Sequence, residues 1–287
     1  MVLVSLRPPL QMHIDSGGGT AEEDVGRLTR TVDVIAVDGN GARPARAEVC
    51  VESTIELRVN GERLVRLALS RDRLEAFARG FLVCEGVVPS VDAIASIAVD
   101  GDVIDARVPA LAAPPGEVEL RTSGCPGLAW GLEACQEPLP DGPEIELDLL
   151  LRASGLINER AHLWRRTGGT HCTVIASPEG EVIASAEDMG RHTSVDKAVG
   201  TALADGADLS SSLLVCTGRL PSGMVAKAYR AGIPVVVSNT APVLAGLELA
   251  RRLNMTVVGF ARPPRLTVYA HPERVRSRGT PLGVAAC

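Results

Sequence analysis

The chain has 287 residues; 46% of them are hydrophobic but only 2% are aromatic, so its core must be built from aliphatic side chains. A formal net charge of −6 argues against a nucleic-acid-binding protein, because phosphate neutralisation requires a basic surface. No stretch is apolar enough for a transmembrane span, and the seven cysteines are scattered rather than arranged as a secreted disulfide framework. We therefore expect a cytoplasmic protein that binds neither nucleic acid nor membranes.

The N-terminal part of the chain divides into an arm and a strand-rich segment. Residues 1–28 predict a flexible arm, because their glycines and charges follow no core-facing pattern. Residues 29–121 predict a strand-rich N-terminal domain. Its clearest signal is period-two alternation on both sides of Asn60-Gly61, which indicates a β-hairpin. A helical pattern follows, and Asp72 stands where it could cap the start of that helix.

Glycines and prolines break the periodicity of residues 122–143, which predicts a loop between the two halves of the chain. Cys125 lies in this loop, between Gly124 and Pro126. A protein that carries sulfur needs a thiolate on an accessible, mobile segment, and such a loop provides one. A loop cysteine without a chemical role is the alternative, and the residues alone leave both open.

Residues 144–287 alternate between helical patterns and continuous runs of valine, leucine and isoleucine. This texture predicts a mainly parallel sheet that is covered by helices on both faces. Ligands of such sheets bind beyond the carboxyl ends of the strands. Here those ends are residues 216–219, 238–241 and 260–265, which carry hydroxyl groups and arginines that suit an anionic ligand.

Two further clusters of polar residues occur in this half. Residues 167–171 read TGGTH, in which the glycines would let the backbone approach a ligand closely, although a tight turn explains them as well. Residues 187–192 read EDMGRH and offer anion binding or proton transfer, with a capped, solvated helix start as the alternative. We expect no zinc or other metal site, because the chain contains no Cys-x-x-Cys sequence.

Seven segments taken together resemble one family, the formate dehydrogenase accessory sulfurtransferases or FdhD family. They follow the order of that family from about residue 47 to 269 and read EVCVESTIELRVNGERL, ARGFLVCEGVV, RTSGCPG, TGGTH, EDMGRHTSVDKAVG, TGRLPSGMVAKAYRAGIPVVVSNTAPVLAGLELA and VGFARPPRLTVY. The resemblance implies an α/β fold (α+β overall), in which residues 144–287 form a cytidine-deaminase-like three-layer α/β/α domain beside the smaller strand-rich one. It also implies a homodimer.

The resemblance further implies a function. Such proteins take persulfide sulfur from a cysteine desulfurase and pass it to the molybdenum of bis(molybdopterin guanine dinucleotide), which then enters formate dehydrogenase. Cys125 matches the persulfide cysteine. Arg219, Ser222 and the 167–171 turn are expected to shape the pocket. The cofactor-binding segment corresponds to Phe260, Ala261, Arg262, Pro263, Pro264 and Arg265.

The loop departs from the family pattern at one position. Many members have a second cysteine three residues after the first, where this chain has Leu128. One thiolate is enough to carry sulfur, but a thiol that resolves the persulfide is missing, and Cys135 is a candidate to replace it. The alternative function is therefore a non-catalytic chaperone that binds the cofactor for a molybdenum or tungsten enzyme. The residues do not name that client enzyme.

Overall fold

A computed structural model describes residues 28–111, 118–121, 135 and 137–282. Over these residues the chain has a mixed α/β fold with four β-sheets. None of the helices in this part of the chain is long and apolar enough to cross a bilayer.

The first sheet is a long two-stranded hairpin. Strands β1 (Thr29–Asp38) and β2 (Gly41–Cys50) pair with each other and, within the described residues, with no other strand. The hairpin is attached to the rest of the molecule near its base, where Glu48 accepts hydrogen bonds from both Nε and Nη2 of Arg166 at 2.7 and 2.6 Å. Its apolar residues, among them Ile35, are largely exposed.

The second sheet contains five strands in the order β5-β6-β3-β4-β7. Its strands are β3 (Ser53–Val59), β4 (Glu62–Leu69), β5 (Ser96–Asp100), β6 (Val103–Arg107) and β7 (Val118–Arg121). The predicted hairpin is confirmed, because β3 and β4 pair antiparallel around Asn60 and Gly61. Both turn residues have positive φ, 54° and 86°, as the favoured two-residue hairpin turn requires.

Helix α1 (Leu74–Cys84) covers the five-stranded sheet with a face that includes Phe77 and Phe81. The prediction that Asp72 caps this helix is wrong, because Arg73 occupies the flanking position and no side chain caps the helix. Asp72 instead accepts a 2.7 Å hydrogen bond from the ammonium of Lys197. Asp72 therefore pairs with a lysine 125 residues away in sequence and not with the amino-terminal end of the neighbouring helix.

The third sheet has six strands in the order β10-β9-β11-β12-β13-β14. They are β9 (His171–Ala176), β10 (Val182–Asp188), β11 (Leu213–Cys216), β12 (Val235–Ser238), β13 (Thr256–Arg262) and β14 (Arg265–Ala270). The prediction of a mainly parallel sheet is wrong. Only the β11–β12 and β12–β13 pairs are parallel. Short turns join β9 to β10 and β13 to β14 and force antiparallel pairing there, and β9 also pairs antiparallel with β11.

Helices cover this sheet on both faces, and a three-stranded sheet closes one side. The helices are α2 (Leu147–Arg160), α3 (His162–Thr167), α4 (Arg191–Ala204), α5 (Ser222–Arg230) and α6 (Leu244–Arg252). The small sheet, in the order β16-β15-β8, consists of β8 (Ile145–Glu146), β15 (Val275–Ser277) and β16 (Thr280–Pro281). Helix α2 packs on one face of the large sheet, and α4, α5 and α6 pack on the other. The predicted three layers are present, while the specific likeness to cytidine deaminases stays a prediction.

Helices α1 and α4 connect the strand-rich part of the molecule to the three-layer part. They cross at Gly80 and Gly200, where a Cβ atom on either glycine would lie 1.8 Å from a backbone oxygen of the other helix. Only glycine at both positions allows the two backbones to approach this closely. The proposed division of the chain into domains at residues 121 and 144 stays a prediction.

Candidate functional site

A cavity of about 660 Å³ lies at the carboxyl ends of the parallel strands. Its lining includes Thr217 after β11, Asn239 after β12 and Arg262 at the end of β13. The structure therefore brings together the three strand ends that the sequence singled out. Helices α2 and α3 provide the opposite wall, which includes Ile157 and Trp164.

The TGGTH turn forms part of this wall, with four of its five residues lining the cavity. The carboxylate of Glu187 fixes the turn from behind. It accepts hydrogen bonds from the backbone N–H groups of Leu163 and Trp164 at 2.7 and 2.8 Å, and one from the hydroxyl of Thr170 at 3.0 Å. Glu187 thus caps α3 and holds the glycine turn against the cavity.

His171 lines the cavity at the start of β9. Its Nδ1 atom lies 2.9 Å from the hydroxyl oxygen of Thr217, which also accepts a hydrogen bond from the backbone N–H of Cys172 at 3.2 Å. Burial lowers the pKa of His171, and the positive charges of Arg191 and Arg219 lower it further, against the opposing effect of Asp188. The imidazole is therefore neutral at neutral pH and can take part in hydrogen bonding without adding charge.

Asp188 has a structural role. Its Oδ2 atom accepts hydrogen bonds from the backbone N–H and the hydroxyl of Ser70 at 3.0 and 2.7 Å, and lies 2.8 Å from the ammonium of Lys197. Its Oδ1 atom accepts a further bond from the backbone N–H of Gly190. Every oxygen of this fully buried carboxylate is used within the fold, so it is unsuited to proton transfer with a substrate.

A second group of buried charges, formed by Asp196, Lys227 and Glu85, is also used within the fold. Asp196 contacts the buried ammonium of Lys227 at 2.6 Å, and Glu85 contacts the same ammonium at 2.6 Å. Burial by itself would lower the pKa of Lys227, but the two carboxylates outweigh burial and raise it. Burial raises the pKa of the neighbouring Cys84 thiol, and the charge of Asp196 adds to this effect. Cys84 is thus a protonated core residue.

Three arginines lie at or near the cavity and, unlike the buried lysines, are not paired with carboxylates of the described residues. Within the part of the chain that the structure describes, no carboxylate pairs with Arg191, Arg219 or Arg262. Burial lowers the pKa of Arg191, and the nearby charge of Arg219 lowers it further. The cavity and its surroundings therefore carry an uncompensated positive charge, as an anionic ligand requires.

Comparison with known proteins identifies the family. The model of the FdhD/NarQ family matches residues 50–276. This chain belongs to the FdhD/NarQ family. The resemblance seen in the separate motifs is thus confirmed over most of the sequence.

Relatives in this family match the chain almost end to end. The sulfur carrier protein FdhD of Methanothermobacter thermautotrophicus is 35% identical over 253 residues, covering 86% of this chain and 99% of the relative. The protein of the same name from Streptomyces avermitilis is 35% identical over 278 residues, covering 88% and 98%. A crystal structure from Desulfotalea psychrophila, assigned as a formate dehydrogenase accessory protein, superposes with a TM-score of 0.73 at 26% identity and covers 87% of this chain and 100% of that one.

The structure distributes the six residues of the predicted FdhD cofactor segment over different environments. Arg262 lines the cavity, whereas Ala261 is completely buried in the core. Phe260 is 47% exposed. Pro263, Pro264 and Arg265 are exposed where β13 turns back into β14. Their assignment to a cofactor stays a prediction, and Arg262 is the member of the segment whose contact with the cavity the structure describes.

The cysteines predicted for sulfur chemistry fall in different parts of the chain. Cys125, Leu128 and the segment around them lie outside the described residues. Cys135 is 1% exposed and packs in the core beneath α4, α5 and α6. This position does not favour it as an accessible second thiol.

Trp164 and Cys172 are among the cavity residues that were not singled out from the sequence. Trp164 lies three residues before the TGGTH turn and is the aromatic side chain of the described wall. Its position close to the glycine turn in the sequence was the one feature that could have identified it as a cavity residue. Cys172 also lines the cavity, but burial raises its pKa to about 12, with a further contribution from Glu187. It is therefore a thiol, and a poor nucleophile, at neutral pH.

Proposed function

We propose that this FdhD/NarQ protein is a sulfur carrier for formate dehydrogenase and that it acts as a sulfurtransferase in the cytoplasm. Its membership of a family whose relatives are named sulfur carrier protein FdhD supports this proposal. The observation that carries it is the cavity in which Thr217, Asn239 and Arg262 meet at three strand ends. A carrier needs such a site for the molecule that receives the sulfur.

The sulfur-bearing residue in this proposal is Cys125. Its thiolate attacks the outer sulfur of a persulfide on a cysteine desulfurase, forms a new S–S bond and releases the thiolate of the desulfurase. Cys125 then holds one additional sulfur atom as its own persulfide. Delivery breaks that S–S bond and returns Cys125 to the thiolate, and two electrons from a thiol reductant convert the transferred sulfur to sulfide.

The acceptor is the molybdenum centre of bis(molybdopterin guanine dinucleotide), bound as a substrate. Arg262 at the cavity and Arg265 at the exposed turn would contact its diphosphate groups, since guanidinium groups bind phosphate oxygens in pairs. The glycine turn and the Thr217 hydroxyl would complete the pocket. Cysteine desulfurase and formate dehydrogenase are the protein partners in this proposal, and the carrier acts as a homodimer.

Intact-protein mass spectrometry tests the sulfur-carrying step. The full chain is incubated with a cysteine desulfurase and cysteine, and wild type is compared with Cys125→Ala and with Cys50→Ala as a matched control. We expect wild type and Cys50→Ala to gain one sulfur atom, which a reductant removes, and Cys125→Ala to gain none. A full gain in Cys125→Ala, or none in wild type, would reject Cys125 as the carrier.

The presence of Leu128, where many members of the family have a second cysteine, favours one alternative. In that alternative the protein is a chaperone that binds the cofactor for a molybdenum or tungsten enzyme without transferring sulfur. The two functions differ in a host that lacks its own carrier. Sulfur transfer requires that Cys125→Ala abolish formate dehydrogenase activity, whereas a chaperone would restore that activity with either residue.

A further inference from the structure

Arg191 and Arg219 form a pair of cations beside the cavity that the fold leaves without partners. In the described ranges neither guanidinium makes a hydrogen bond or an ion pair with the protein. Arg191 is partly buried, and its Nε atom is inaccessible to solvent and has no acceptor among these residues. A buried donor without an acceptor destabilises the protein, and the outer nitrogens of the same guanidinium are not enclosed, so this group points to a ligand that accepts hydrogen bonds from it.

The fold holds Arg191 firmly in this unfavourable position. It is the first residue of α4, and its aliphatic chain lies against the backbone of Gly218, where an added Cβ would be 2.7 Å from Arg191 Cβ. The hydroxyl of Ser238 donates a 2.6 Å hydrogen bond to the carbonyl oxygen of Gly218 and so fixes the backbone on which the arginine rests. The guanidinium is therefore positioned in advance, which reduces the entropy lost when an anion binds.

The surroundings strengthen the positive charge. Arg191 and Arg219 are close enough for each other's charge to matter, since the charge of Arg219 lowers the pKa of Arg191 in addition to burial. The imidazole of His171, near both arginines, is neutral. The acidic residues of the same motif are not available as counter-ions, because Asp188 is bound to Ser70 and Lys197 and Glu187 caps α3.

Two helices add their dipoles at this place. Helix α4 begins at Arg191 itself, and α5 begins at Ser222, three residues after Arg219. The amino-terminal ends of helices carry partial positive charge and favour anions within the first turn. Side-chain and backbone charges at this place thus have the same sign.

We propose that Arg191 and Arg219 bind a tetrahedral oxyanion of the phosphate class at a subsite distinct from Arg262. One source of this anion is a phosphate group of the nucleotide cofactor, in which case the inference rests on the proposed function and places a second point of attachment on the same ligand. The other source is a free oxyanion that binds independently. The chemistry of recognition is the same for both.

Isothermal titration calorimetry with the full chain tests this subsite and separates the two sources. The probes are guanosine diphosphate, guanosine and inorganic phosphate. Wild type is compared with Arg191→Gln and Arg219→Gln, and with Arg252→Gln as a control on the exposed last turn of α6. Melting curves establish that each variant is folded.

If the anion belongs to the nucleotide, each of the two variants binds guanosine diphosphate about tenfold more weakly, while guanosine binding and the control are unchanged. If the anion is free, the variants lose binding of inorganic phosphate and keep that of the nucleotide. Either result supports the subsite. Wild-type affinity of both variants for both phosphate-containing probes overturns it, as does a wild-type protein that binds neither probe.

The same titrations distinguish this inference from the proposed function. Wild-type protein that binds inorganic phosphate through Arg191 and Arg219 but does not bind guanosine diphosphate would reject the nucleotide cofactor and leave the anion subsite in place. Conversely, wild-type protein that binds guanosine diphosphate, together with unchanged affinity of both arginine variants for guanosine diphosphate and for inorganic phosphate, would retain the cofactor and reject the subsite.

Discussion

Two groups of cations on or just before helices α4 and α5 have completely different surroundings. Lys197 and Lys227 are buried, and each ammonium lies within 2.8 Å of two carboxylates. Arg191 and Arg219, at the amino-terminal ends of the same helices, have no carboxylate partner in the described structure. The two groups thus lie close together in sequence, but only the lysines are neutralised by the part of the protein that the structure describes.

This difference separates charges that build the fold from charges that await a ligand. An ammonium group is removed from water at a large cost in free energy, and its carboxylates must offset that cost before the chain can fold. An arginine near the surface keeps part of its hydration and can remain unpaired until an anion arrives. The comparison therefore predicts that the lysines determine stability, whereas the arginines determine binding.

Removing a paired lysine should have the largest effect. Lys197→Met leaves the carboxylates of Asp188 and Asp72 without their shared cation, with Asp188 fully buried. We expect a loss of about 3–5 kcal/mol in the free energy of unfolding, measured by urea denaturation. A loss below about 1 kcal/mol would contradict the comparison, because the paired cation would then contribute no more than a surface charge.

The neighbour of Arg191 gives a second, smaller effect that depends on pH. His192 is 5% exposed, and neither ring nitrogen has a partner within the described ranges. Burial lowers its pKa from 6.5 to about 2, with contributions from Lys227, Arg191 and His171. Below pH 6.5, His192 therefore binds a proton in the unfolded chain but stays neutral in the folded chain. The free energy of unfolding consequently decreases as the pH falls below 6.5.

Between pH 7 and pH 5, wild type should lose about 2 kcal/mol more stability than His192→Asn. Urea denaturation of both proteins at the two pH values measures this difference, and groups common to both cancel. An equal loss in wild type and variant would contradict this prediction, because His192 would then have a hydrogen-bond partner that lets it bind a proton in the folded protein.

The unpaired arginines should have the smallest effect on stability. Arg191→Gln and Arg219→Gln each remove one of two cations that repel each other and break no ion pair in the described structure. We expect Arg219→Gln to change the free energy of unfolding by less than about 0.5 kcal/mol, within the range of ordinary surface substitutions. Arg191→Gln should cause no loss, because it also removes the buried donor that has no acceptor among the described residues. The side chain of Arg219 is exposed. A loss above about 2 kcal/mol from Arg219→Gln would mean that the arginines stabilise the fold as the lysines do, which contradicts the difference between the two groups.

Local patterns in the sequence were sufficient for the hairpin at Asn60-Gly61 and for the cluster of strand ends around Thr217, Asn239 and Arg262. Both depend on short-range rules: turn chemistry in the first case, and the common edge of parallel strands in the second. The expectation of a mainly parallel sheet was wrong, because a continuously apolar strand looks the same whether its neighbour is parallel or antiparallel, and β11 pairs antiparallel with β9.

The roles of the charged residues in the EDMGRH motif depended on partners far away in sequence. Asp188 accepts a hydrogen bond from Ser70, 118 residues before it, and the hydrophobic periodicity of the sequence does not predict such a contact. The sequence therefore showed that the motif was chemically dense. It did not show that Glu187 and Asp188 make hydrogen bonds within the fold while the guanidinium of Arg191 has no partner among the described residues.

The crossing of α1 and α4 at Gly80 and Gly200 has a consequence for protein engineering. Because the contact is between backbones, no neighbouring side chain can be shortened to make room for a larger residue at either position. A chimera that takes residues 28–111 from one FdhD/NarQ protein and residues 137–282 from another would therefore inherit half of this contact from each parent. It would assemble correctly only if both parents contribute a glycine, so these two positions decide which halves can be exchanged.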